Sequence, residues 1–436
     1  MSVKKSVSRR RFIHGVSAAI TVPYIIPSSV FGQGGNIAPG NRVTIGCIGV
    51  GEHGIGTNIN GFLKHPDCQI VAICDVDPIQ REKAQQRILK QYGESYKSLA
   101  VYKDFRDIIN RKDIDAVCIS TPDHWHILIG IMAANSGKDV FVEKPMTTNI
   151  EEGKVFCKVI QQSGRIVQVA SEQRCRPQFH QMAEIVRNGL IGKLKHIEVG
   201  MPGGHSIREN ANDKRPQLEV CDPPDGFDFE MWTGPTPEAP YRPGRTHWNW
   251  RWIEDLAEGQ FNDYAHHLID IAQWAHGTED TLPVSVEGTG IFPEGYYDTA
   301  TDYNCTFTFA DGITMNCKSG KTGHRFEGTD GVIINTGWGK LSAEPMSILD
   351  FKAGSGKVKL FTAESEHRNF LDCVKSRQKC YSHEGIGHRA ASFAHMGTIA
   401  MKLNRKLAFD PEKEVFIGDN EANKMLSRPI RKPWTL

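Results

Sequence analysis

The stretch GQFNDYAHHLIDIAQW, residues 259–274, places two adjacent histidines between two aspartates in an otherwise apolar run. In a helix, Asp263, His267 and Asp270 fall on one face, because they are four and three residues apart. The other positions are mostly apolar, which is typical of a buried helix. Burying unpaired charge is costly, so the polar face must meet a cavity, a ligand or its own members. The stretch is therefore a candidate for a hydride-transfer site, a metal site, or a buried Asp/His pair whose members hydrogen-bond each other.

The composition is that of a globular protein long enough for two domains. The chain has 436 residues, with 52 basic and 51 acidic side chains and no long block of one sign. Because no net field attracts phosphate-rich partners, we expect no nucleic-acid partner. The 11 cysteines form no C-x-x-C pair, and Cys47, Cys74 and Cys118 lie in apolar, strand-like runs. We therefore expect neither a disulfide framework nor a cysteine metal cluster.

The N-terminal segment SRRRFIHGVSAAITVPYIIPSSVFG is predicted to be an export signal. Arg9 and Arg10 precede an apolar run that is too short to span a bilayer, and small residues follow it. The pattern resembles a twin-arginine (Tat) signal, which is an address rather than an anchor; a disordered basic tail is the alternative. We expect a signal over residues 1–32, a linker over 33–41, transient binding to the Tat machinery, and a periplasmic protein without a membrane anchor.

The segment RVTIGCIGVGEHG indicates a buried strand that runs into the pattern Gly49-x-Gly51-x-x-Gly54. This pattern is weak alone, but a helix-compatible run follows it, and a second strand ends in Asp75 about twenty residues on. The glycines let backbone amides approach a pyrophosphate at a helix N-terminus. A carboxylate at Asp75 accepts hydrogen bonds from a ribose diol and repels a 2′-phosphate, which predicts NAD rather than NADP.

Strand and helix patterns alternate over residues 42–163, which predicts a Rossmann-type, doubly wound parallel sheet. Ligands of such sheets bind at the carboxyl ends of the strands, where the motifs TPDHWH and EKP lie. His126 fits a second role equally well, that of holding a strand-to-helix turn by hydrogen bonds. Besides the glycines and Asp75, the predicted cofactor-binding residues are Thr121, Pro122, His126, Glu143 and Lys144.

These motifs, together with DGFDFEMWTGPTPEAPY, RTHWNWRW and HRNFLDCVKSRQ, resemble the glucose-fructose oxidoreductase, inositol dehydrogenase and rhizopine-catabolism (Gfo/Idh/MocA) family. The similarity runs from about Val43 to near the C-terminus, and the later segments resemble the exported branch that acts on sugars. The resemblance implies that Lys144 lies beside the nicotinamide and that Asp263 and His267 complete the catalytic set. It names no substrate, because the substrate-facing residues differ between members.

Hydride removal from a secondary alcohol requires a base for the hydroxyl proton, a group that orients the base, and a cation for the developing alkoxide. We expect His267 to accept the proton. Asp263 would orient that imidazole or bind a neighbouring hydroxyl, and the Lys144 ammonium would hydrogen-bond the reacting oxygen. The sequence leaves open whether His267 or Lys144 makes the final proton transfer.

A zinc site is the alternative for the same helix face. Its ligands would be Asp263, His266, His267 and Asp270 with His124 or His126. Zinc sites with two helical ligands need another ligand from elsewhere and supporting hydrogen bonds. Because the nucleotide fingerprint lies in the same chain, we expect no metal, and we assign Asp270 a structural role.

Residues 164–436 are predicted to form an α+β domain with one large, mostly antiparallel sheet. We expect strands in RIVQVASEQR, KLKHIEVGMPG, PVSVEGTGIF, DYNCTFTFADGITMNCKS and GVIINTGWGKLSA. Residues 202–244 would be a long ordered loop, and a helix in ASFAHMGTIAMKLN would pack back between the domains. In this family the exposed face of the sheet often makes a subunit interface, so we expect a homo-oligomer, either a dimer or a tetramer.

Candidate residues for sugar contacts are aromatic and polar side chains that precede the helix with Asp263 and His267 or follow the first domain. Trp248, Trp250 and Trp252 alternate, and aromatic faces bind the apolar side of sugar rings, although packing between domains explains them as well. The candidate substrate-contacting residues are Gln173, Arg174, Trp250 and Arg251.

The expected function is that of an exported NAD-dependent oxidoreductase acting on a secondary hydroxyl of a sugar, cyclitol or glycoside. Because a periplasm holds no obvious pool of free NAD, the alternative is a redox-neutral enzyme with retained NAD. Such an enzyme would transfer hydride between two sugars or cleave a glycoside through a transient keto sugar. A sugar-binding module without turnover is a third hypothesis, against which the intact set of Lys144, Asp263 and His267 argues.

Overall fold

Residues 37–436 are described by the computed structural model, and the predicted Tat signal lies outside this range. Residues 37–42, with a short 3-10 turn at Pro39–Asn41, belong to a unit separate from Val43–Leu436. Within the described range, no helix combines the length and the apolarity needed to cross a bilayer. All 11 cysteines of the chain are free thiols.

The first sheet has six parallel strands in the order β3-β2-β1-β4-β5-β6. Its strands are β1 Val43–Ile48, β2 Cys68–Cys74, β3 Ala100–Tyr102, β4 Ala116–Ile119, β5 Asp139–Val142 and β6 Val167–Val169. Strands β1, β2, β4, β5 and β6 are almost wholly buried, because helices cover such sheets on both sides. The strand order reverses between β1 and β4, and ligands bind at the carboxyl ends of strands at such a switch point.

Five helical segments accompany this sheet. They are α1, a π-helical turn Gly54–Ile59 continued by Asn60–Phe62, then α2 Pro78–Tyr92, α3 Phe105–Ile109, α4 Asp123–Asn135 and α5 Ile150–Ser163. Side-chain caps begin three of them, since Asp77, Asp104 and Asn149 each accept a hydrogen bond from a first-turn amide. Helix α4 differs, because it follows Pro122 without a side-chain cap.

The segment at residues 165–174 corrects a sequence prediction. We expected its strand to belong to the second, antiparallel sheet, but β6 pairs in parallel with β5 and completes the first sheet. The strand has only three residues, so its periodicity carries little information. The Rossmann-type sheet therefore extends beyond the expected limit at residue 163.

The second sheet has nine strands in the order β13-β12-β11-β7-β10-β9-β8-β14-β15, and every neighbouring pair is antiparallel except β7 with β10. In β9, buried positions alternate with exposed or half-buried ones, so one face packs on the core. The strands are β7 Leu194–Met201, β8 Ser285–Ile291, β9 Asp302–Thr308, β10 Thr314–Ser319, β11 Gly323–Gly328, β12 Val332–Thr336, β13 Lys340–Glu344, β14 Leu407–Asp410 and β15 Val415–Phe416. The fold class predicted from the sequence is confirmed.

The helices of this half are α6 Pro177–Arg187, α7 Phe229–Thr233, α8 Gly259–His276, α9 Glu366–Ser376, α10 Glu384–Leu403 and α11 Asn420–Lys424. Short 3-10 turns lie at Glu172–Cys175, Pro243–Arg245, Asn249–Trp252 and Met346–Asp350. Helix α8 is the stretch that carries the two histidines. It packs on the core face of the sheet between α6 and α10, and α10 also contacts α5 of the first half. Residues 202–244 are mostly irregular, apart from α7 and the beginning of the turn Pro243–Arg245.

Candidate active site

Three glycines shape the turn that follows β1. Gly49 has φ +79°, and a Cβ there would lie 2.6 Å from the backbone of Ser120 and Thr121. A Cβ on Gly54 would lie 2.4 Å from the Gly49 carbonyl oxygen, whereas one on Gly51 would meet no atom within 4 Å. Gly49 and Gly54 thus permit close packing, and Gly51 leaves the backbone open to an approaching group, as a dinucleotide pyrophosphate requires. The turn therefore fits the predicted cofactor.

A cleft of about 410 Å³ opens beside this turn at the carboxyl edge of the first sheet. Asp75, Lys144 and Arg251 are among the residues that line the cleft. The predicted residues in its wall are Gly49, Gly51, Gly54, Asp75, Thr121, Pro122, Glu143, Lys144, Trp250 and Arg251. Residues from two sequence motifs and from the later RTHWNWRW segment therefore meet in one cavity.

Asp75 ends β2 and is held by backbone amides. Its Oδ2 accepts a hydrogen bond from Val50 N at 2.8 Å, and its Oδ1 accepts one from Asp77 N at 2.9 Å. Burial raises the pKa of this carboxyl to about 6, even though these hydrogen bonds oppose the shift. Arg81, the alternative partner for a 2′-phosphate, donates instead to the backbone oxygen of Asp75 at 2.6 Å.

Lys144 and Asp263 form an ion pair between the first sheet and helix α8. The distance from Lys144 Nζ to Asp263 Oδ1 is 2.8 Å, and the two side chains are 14% and 18% exposed. Burial alone would lower the pKa of Lys144, but the charges of Asp263 and Glu143 raise it. Burial likewise opposes ionisation of Asp263, yet Lys144 and Arg251 hold its pKa at about 2. The pair is therefore an ammonium and a carboxylate at neutral pH.

His267 lies one turn along α8 from Asp263. Burial, and then the charge of Lys144, place the pKa of this imidazole well below its ordinary value. Its Nδ1 is buried and has no hydrogen-bond partner among the described residues. Asp263 bonds to Lys144 rather than to His267. The low pKa keeps the imidazole in its neutral form at neutral pH, and the expected orientation of His267 by Asp263 is not seen.

Two aromatic residues that were not predicted from the sequence, Trp338 and Tyr264, lie beside His267. The ring centroid of Trp338 is 5.8 Å from that of His267 and 5.9 Å from that of Tyr264. Trp338 is 39% exposed and lies in the turn between β12 and β13. The sequence signal that could have found it is a tryptophan between two glycines in a hairpin turn, since such a side chain has little to pack against.

Glu143 holds the EKP turn in place. Its Oε1 lies 2.8 Å from His53 Nε2 and accepts a hydrogen bond from Asn58 Nδ2, also at 2.8 Å. Burial would raise the pKa of Glu143, but the charge of His53 and its hydrogen bond hold that pKa well below the usual range. His53 and Asn58 were not predicted, although both follow closely on the glycine turn. They fasten the nucleotide loop to the residue that precedes Lys144.

His126 is not a cofactor-binding residue, and this corrects one prediction. It is 1% exposed, and its two ring nitrogens each lie 2.8 Å from a carbonyl oxygen, those of Pro145 and Thr121. The side chain therefore joins the EKP turn to the start of α4 and does not border the cleft. The other role considered for it, support of a strand-to-helix turn, is the one the structure shows.

Arg174 does not face the cleft either, so its predicted contact with substrate is wrong. It is 4% exposed in its side chain, and its guanidinium bonds to Asp270 at 2.7 and 2.5 Å and to Glu279 at 2.6 Å. Asp270 also accepts a hydrogen bond from Ser171 at 2.7 Å, which gives it the structural role expected. Gln173 is 2% exposed and donates to Glu172, outside the cleft wall.

The tryptophans of RTHWNWRW have different surroundings. The Arg251 guanidinium carbon lies 4.3 Å from the ring centroids of both Trp248 and Trp250, and all three residues border the cleft. Trp252 is 1% exposed and stacks on His205 with ring centroids 5.4 Å apart. Trp252 therefore packs in the interior, and only the first two are placed to meet a ligand.

The alternative of a metal site finds little support in the geometry. His266 is 1% exposed and its ring nitrogens have no partner among the described residues, while burial lowers its pKa to about 4. Asp270 is occupied by Arg174. Across residues 37–436, no group of three or more histidine, cysteine, aspartate or glutamate side chains is arranged to hold a metal ion.

A doubly wound nucleotide cleft with a buried lysine in its wall, paired with an aspartate of α8, is typical of a nucleotide-dependent oxidoreductase. The chain belongs to the Gfo/Idh/MocA oxidoreductase family: residues 43–171 match its NAD-binding Rossmann-fold domain, and residues 176–436 match its C-terminal α/β domain. The family and the NAD cofactor predicted from the sequence are confirmed.

Individual relatives are similar over smaller parts. The chain is 35% identical to glycosyl hydrolase family 109 protein 2 of Shewanella sp. (strain ANA-3) over 161 residues, or 36% of this chain and 35% of that protein. It is 33% identical to an alpha-N-acetylgalactosaminidase of Shewanella oneidensis over 177 residues, or 39% of this chain and 38% of that protein. The chain thus matches little more than a third of the length of these relatives.

Among solved structures, the fold is similar to that of levoglucosan dehydrogenase in complex with NADH and levoglucosan. The TM-score is 0.62 at 17% identity, over 87% of this chain and 100% of that one. At this identity the likeness concerns the fold.

Proposed function

We propose that the protein transfers hydride between a secondary hydroxyl of a sugar, cyclitol or glycoside and the nicotinamide of NAD. The observation that carries this proposal is the buried ion pair between Lys144 and Asp263, with the neutral His267 one helical turn away. A cation, a carboxylate and a free base are the groups that alcohol oxidation needs. All three are supplied by residues held on rigid elements.

Each of the three residues has a separate role in the proposed reaction. NAD, when bound, supplies the hydride acceptor. His267 takes the hydroxyl proton, because it lies one helical turn from Asp263, the partner of Lys144, and its imidazole is in the neutral form that can accept a proton. Lys144 donates a hydrogen bond to the oxygen on which negative charge develops, and Asp263 keeps that lysine charged and aimed. In the reverse direction the same proton returns from His267 to the alkoxide.

Trp338 and Tyr264 are proposed to hold the apolar face of the sugar ring. They lie beside His267, and Trp338 retains an exposed surface without a bound ligand. A sugar ring presents C–H groups to an aromatic face, and burial of that face contributes to affinity. Trp250 and Arg251, in the cleft wall, are proposed to contact hydroxyl groups of the substrate.

A redox-neutral reaction is the second candidate, favoured by the similarity to the glycosyl hydrolase family 109 protein and the alpha-N-acetylgalactosaminidase. Here the sugar is oxidised and later re-reduced on the same enzyme, so NAD is retained. The two candidates are separated by giving the purified protein an excess of sugar or aryl glycoside without added NAD. Product beyond one equivalent of protein supports the redox-neutral reaction, whereas product limited to bound NAD supports net dehydrogenation.

Export through the Tat pathway to the periplasm is proposed from Arg9 and Arg10, which precede a short apolar run. Replacement of both arginines by lysine should retain the protein in the cytoplasm, as judged by cell fractionation and immunoblotting. A periplasmic fraction undiminished by the replacement would refute the proposal. A variant with the nearby Lys4 and Lys5 changed to arginine is the matched control.

A homo-oligomer that uses the outer face of the nine-stranded sheet is also proposed, since one face of this sheet covers the core and the other is open. Light scattering coupled to size-exclusion chromatography measures the mass directly. A mass near the 48.7 kDa of one chain would contradict it.

A further inference from the structure

A carboxyl group without a partner borders the cleft at the start of helix α4. Asp123 is the first residue of this helix and is 4% exposed. Its Oδ1 is buried and has no hydrogen-bond partner among the described residues. Helix α4 has no side-chain cap, and Asp123 is the acidic residue of its first turn, where a carboxyl group is favourable. Among the described residues the side chain nevertheless has no ion pair, and its Oδ1 accepts no hydrogen bond.

Asp123 shares the wall of the cleft with Lys144 and Arg251, which places it near the proposed reacting groups. Burial raises the pKa of its carboxyl well above the ordinary value, and the charge of Asp263 adds to this, whereas Arg251 and Lys144 oppose it. Burial without a partner costs free energy in the free protein. A group of this kind gains a partner when a ligand enters the cavity that it borders.

We propose that Asp123 hydrogen-bonds a hydroxyl group of the bound ligand, next to the atoms that react. The proposal rests on the function proposed above. A carboxyl group pairs with a hydroxyl in either protonation state, because its oxygens accept the hydroxyl proton, whereas a phosphate would be better matched by a cation. Two sources supply such a hydroxyl here, the ribose on the nicotinamide side of NAD and the sugar substrate.

The proposal makes opposite predictions for stability and binding. Replacing an unpaired buried carboxyl should raise the Tm of the free protein, because the burial cost disappears. Asp123→Leu should then weaken binding about 3- to 10-fold, the effect of one lost hydrogen bond. Asp123→Asn should keep binding within about threefold, because the amide both donates and accepts.

The matched control is Asp139, a second aspartate of the same half. It is 3% exposed but paired with Arg377, and it lies at the amino end of β5, away from the cleft. Asp139→Asn should lower the Tm and leave both binding constants unchanged. The contrast between the two aspartates separates a ligand-binding carboxyl from a structural one.

The experiment measures three quantities for each variant: the Tm of the free protein, the Kd of NADH by fluorescence titration, and the KM of the sugar that changes the NADH band. A raised Kd with Asp123→Leu assigns the ribose as the partner, and a raised KM assigns the sugar. Unchanged Kd and KM with Asp123→Leu, or a lowered Tm with the same variant, would overturn the proposal. If no sugar changes the NADH band of the unaltered protein, the proposed function fails, while the Kd still tests the ribose contact.

Discussion

The ammonium of Lys144 lies 2.8 Å from the carboxylate of Asp263, although 119 residues separate them in the chain. One belongs to the EKP turn at the edge of the parallel sheet, and the other to the helix that packs on the antiparallel sheet. The pair therefore links the nucleotide cleft to the helix that carries His267, the proposed proton acceptor. Within the pair, each charge stabilises the charged form of the other residue.

Asp263→Asn should move the alkaline limb of the pH profile of turnover to lower pH. Burial lowers the pKa of Lys144 and the charge of Asp263 is the first of the effects that raise it, so removing that charge lets the pKa fall. The ammonium is present only below its pKa, so activity is then lost earlier as the pH rises. Tyr264→Phe is the control, because this neighbouring phenol also titrates at high pH. An unmoved limb would show that Asp263 does not hold the charge of Lys144.

His267→Ala and Lys144→Ala should each lower turnover roughly 10²- to 10⁴-fold with nearly unchanged affinity for NAD. Because both groups act on one transferring proton, the double variant should lose much less than the product of the single losses. His266→Ala is the matched control and should lose far less. A metal mechanism predicts instead that chelators abolish activity and that His266 and Asp270 matter as much as His267. Turnover of the unaltered protein, of these four variants and of Asp270→Asn, with and without chelator, separates the two mechanisms.

NAD should bind at least about tenfold more tightly than NADP at pH 7.5, and Asp75→Ala should reduce this preference. The Asp75 carboxyl has a pKa of about 6, so it is ionised above that pH and repels a 2′-phosphate there. As the pH falls to 5 the carboxyl is protonated and the preference should decline, whereas in Asp75→Asn this contribution is absent. Calorimetric titrations of the three proteins with NAD and with NADP at both pH values give these affinities. Equal binding of NAD and NADP by the unaltered protein would be incompatible with this account and would point to Arg81.

Trp338→Ala should raise the KM for the sugar about tenfold, the magnitude expected for loss of a stacked aromatic contact, while the Kd of NADH stays constant. Trp338→Phe should recover most of the affinity. Phe361→Ala removes another exposed aromatic side chain, 59% exposed, and should change neither constant. A KM unaffected by Trp338→Ala would place the sugar elsewhere, with Trp250 as the next residue to test.

The sequence predicted those parts of the site that local chemistry determines. Gly49 and Gly54 are constrained by a tight turn, which the structure shows directly, and Gly51 leaves open space beside the cleft. The helix with Asp263 and His267 was predicted because its polar face repeats at helical spacing within an apolar run. In both cases the pattern that allowed the prediction lies within a few neighbouring residues of the sequence.

Contacts between distant segments were not predictable in this way. The hydrogen bond between His53 and Glu143 spans 90 residues, and the proximity of Trp338 to His267 depends on how a hairpin of one sheet meets a helix packed on it. Strand β11, with the sequence GHRFEG, was missed because glycine and charged residues are uncommon in strands. Arg174 was misassigned because the sequence does not show that its guanidinium forms ion pairs with Asp270 and Glu279.

The most direct test of hydride transfer is a single-turnover experiment with the NAD-loaded protein. The protein is mixed rapidly with a candidate sugar that carries either hydrogen or deuterium on the carbon of the reacting hydroxyl, and absorbance is followed in the NADH band. The account predicts that the band forms, that deuterium slows its formation, and that it forms roughly 10²- to 10⁴-fold more slowly in His267→Ala. Product formation without any transient NADH band, or at the same rate in His267→Ala, would contradict it.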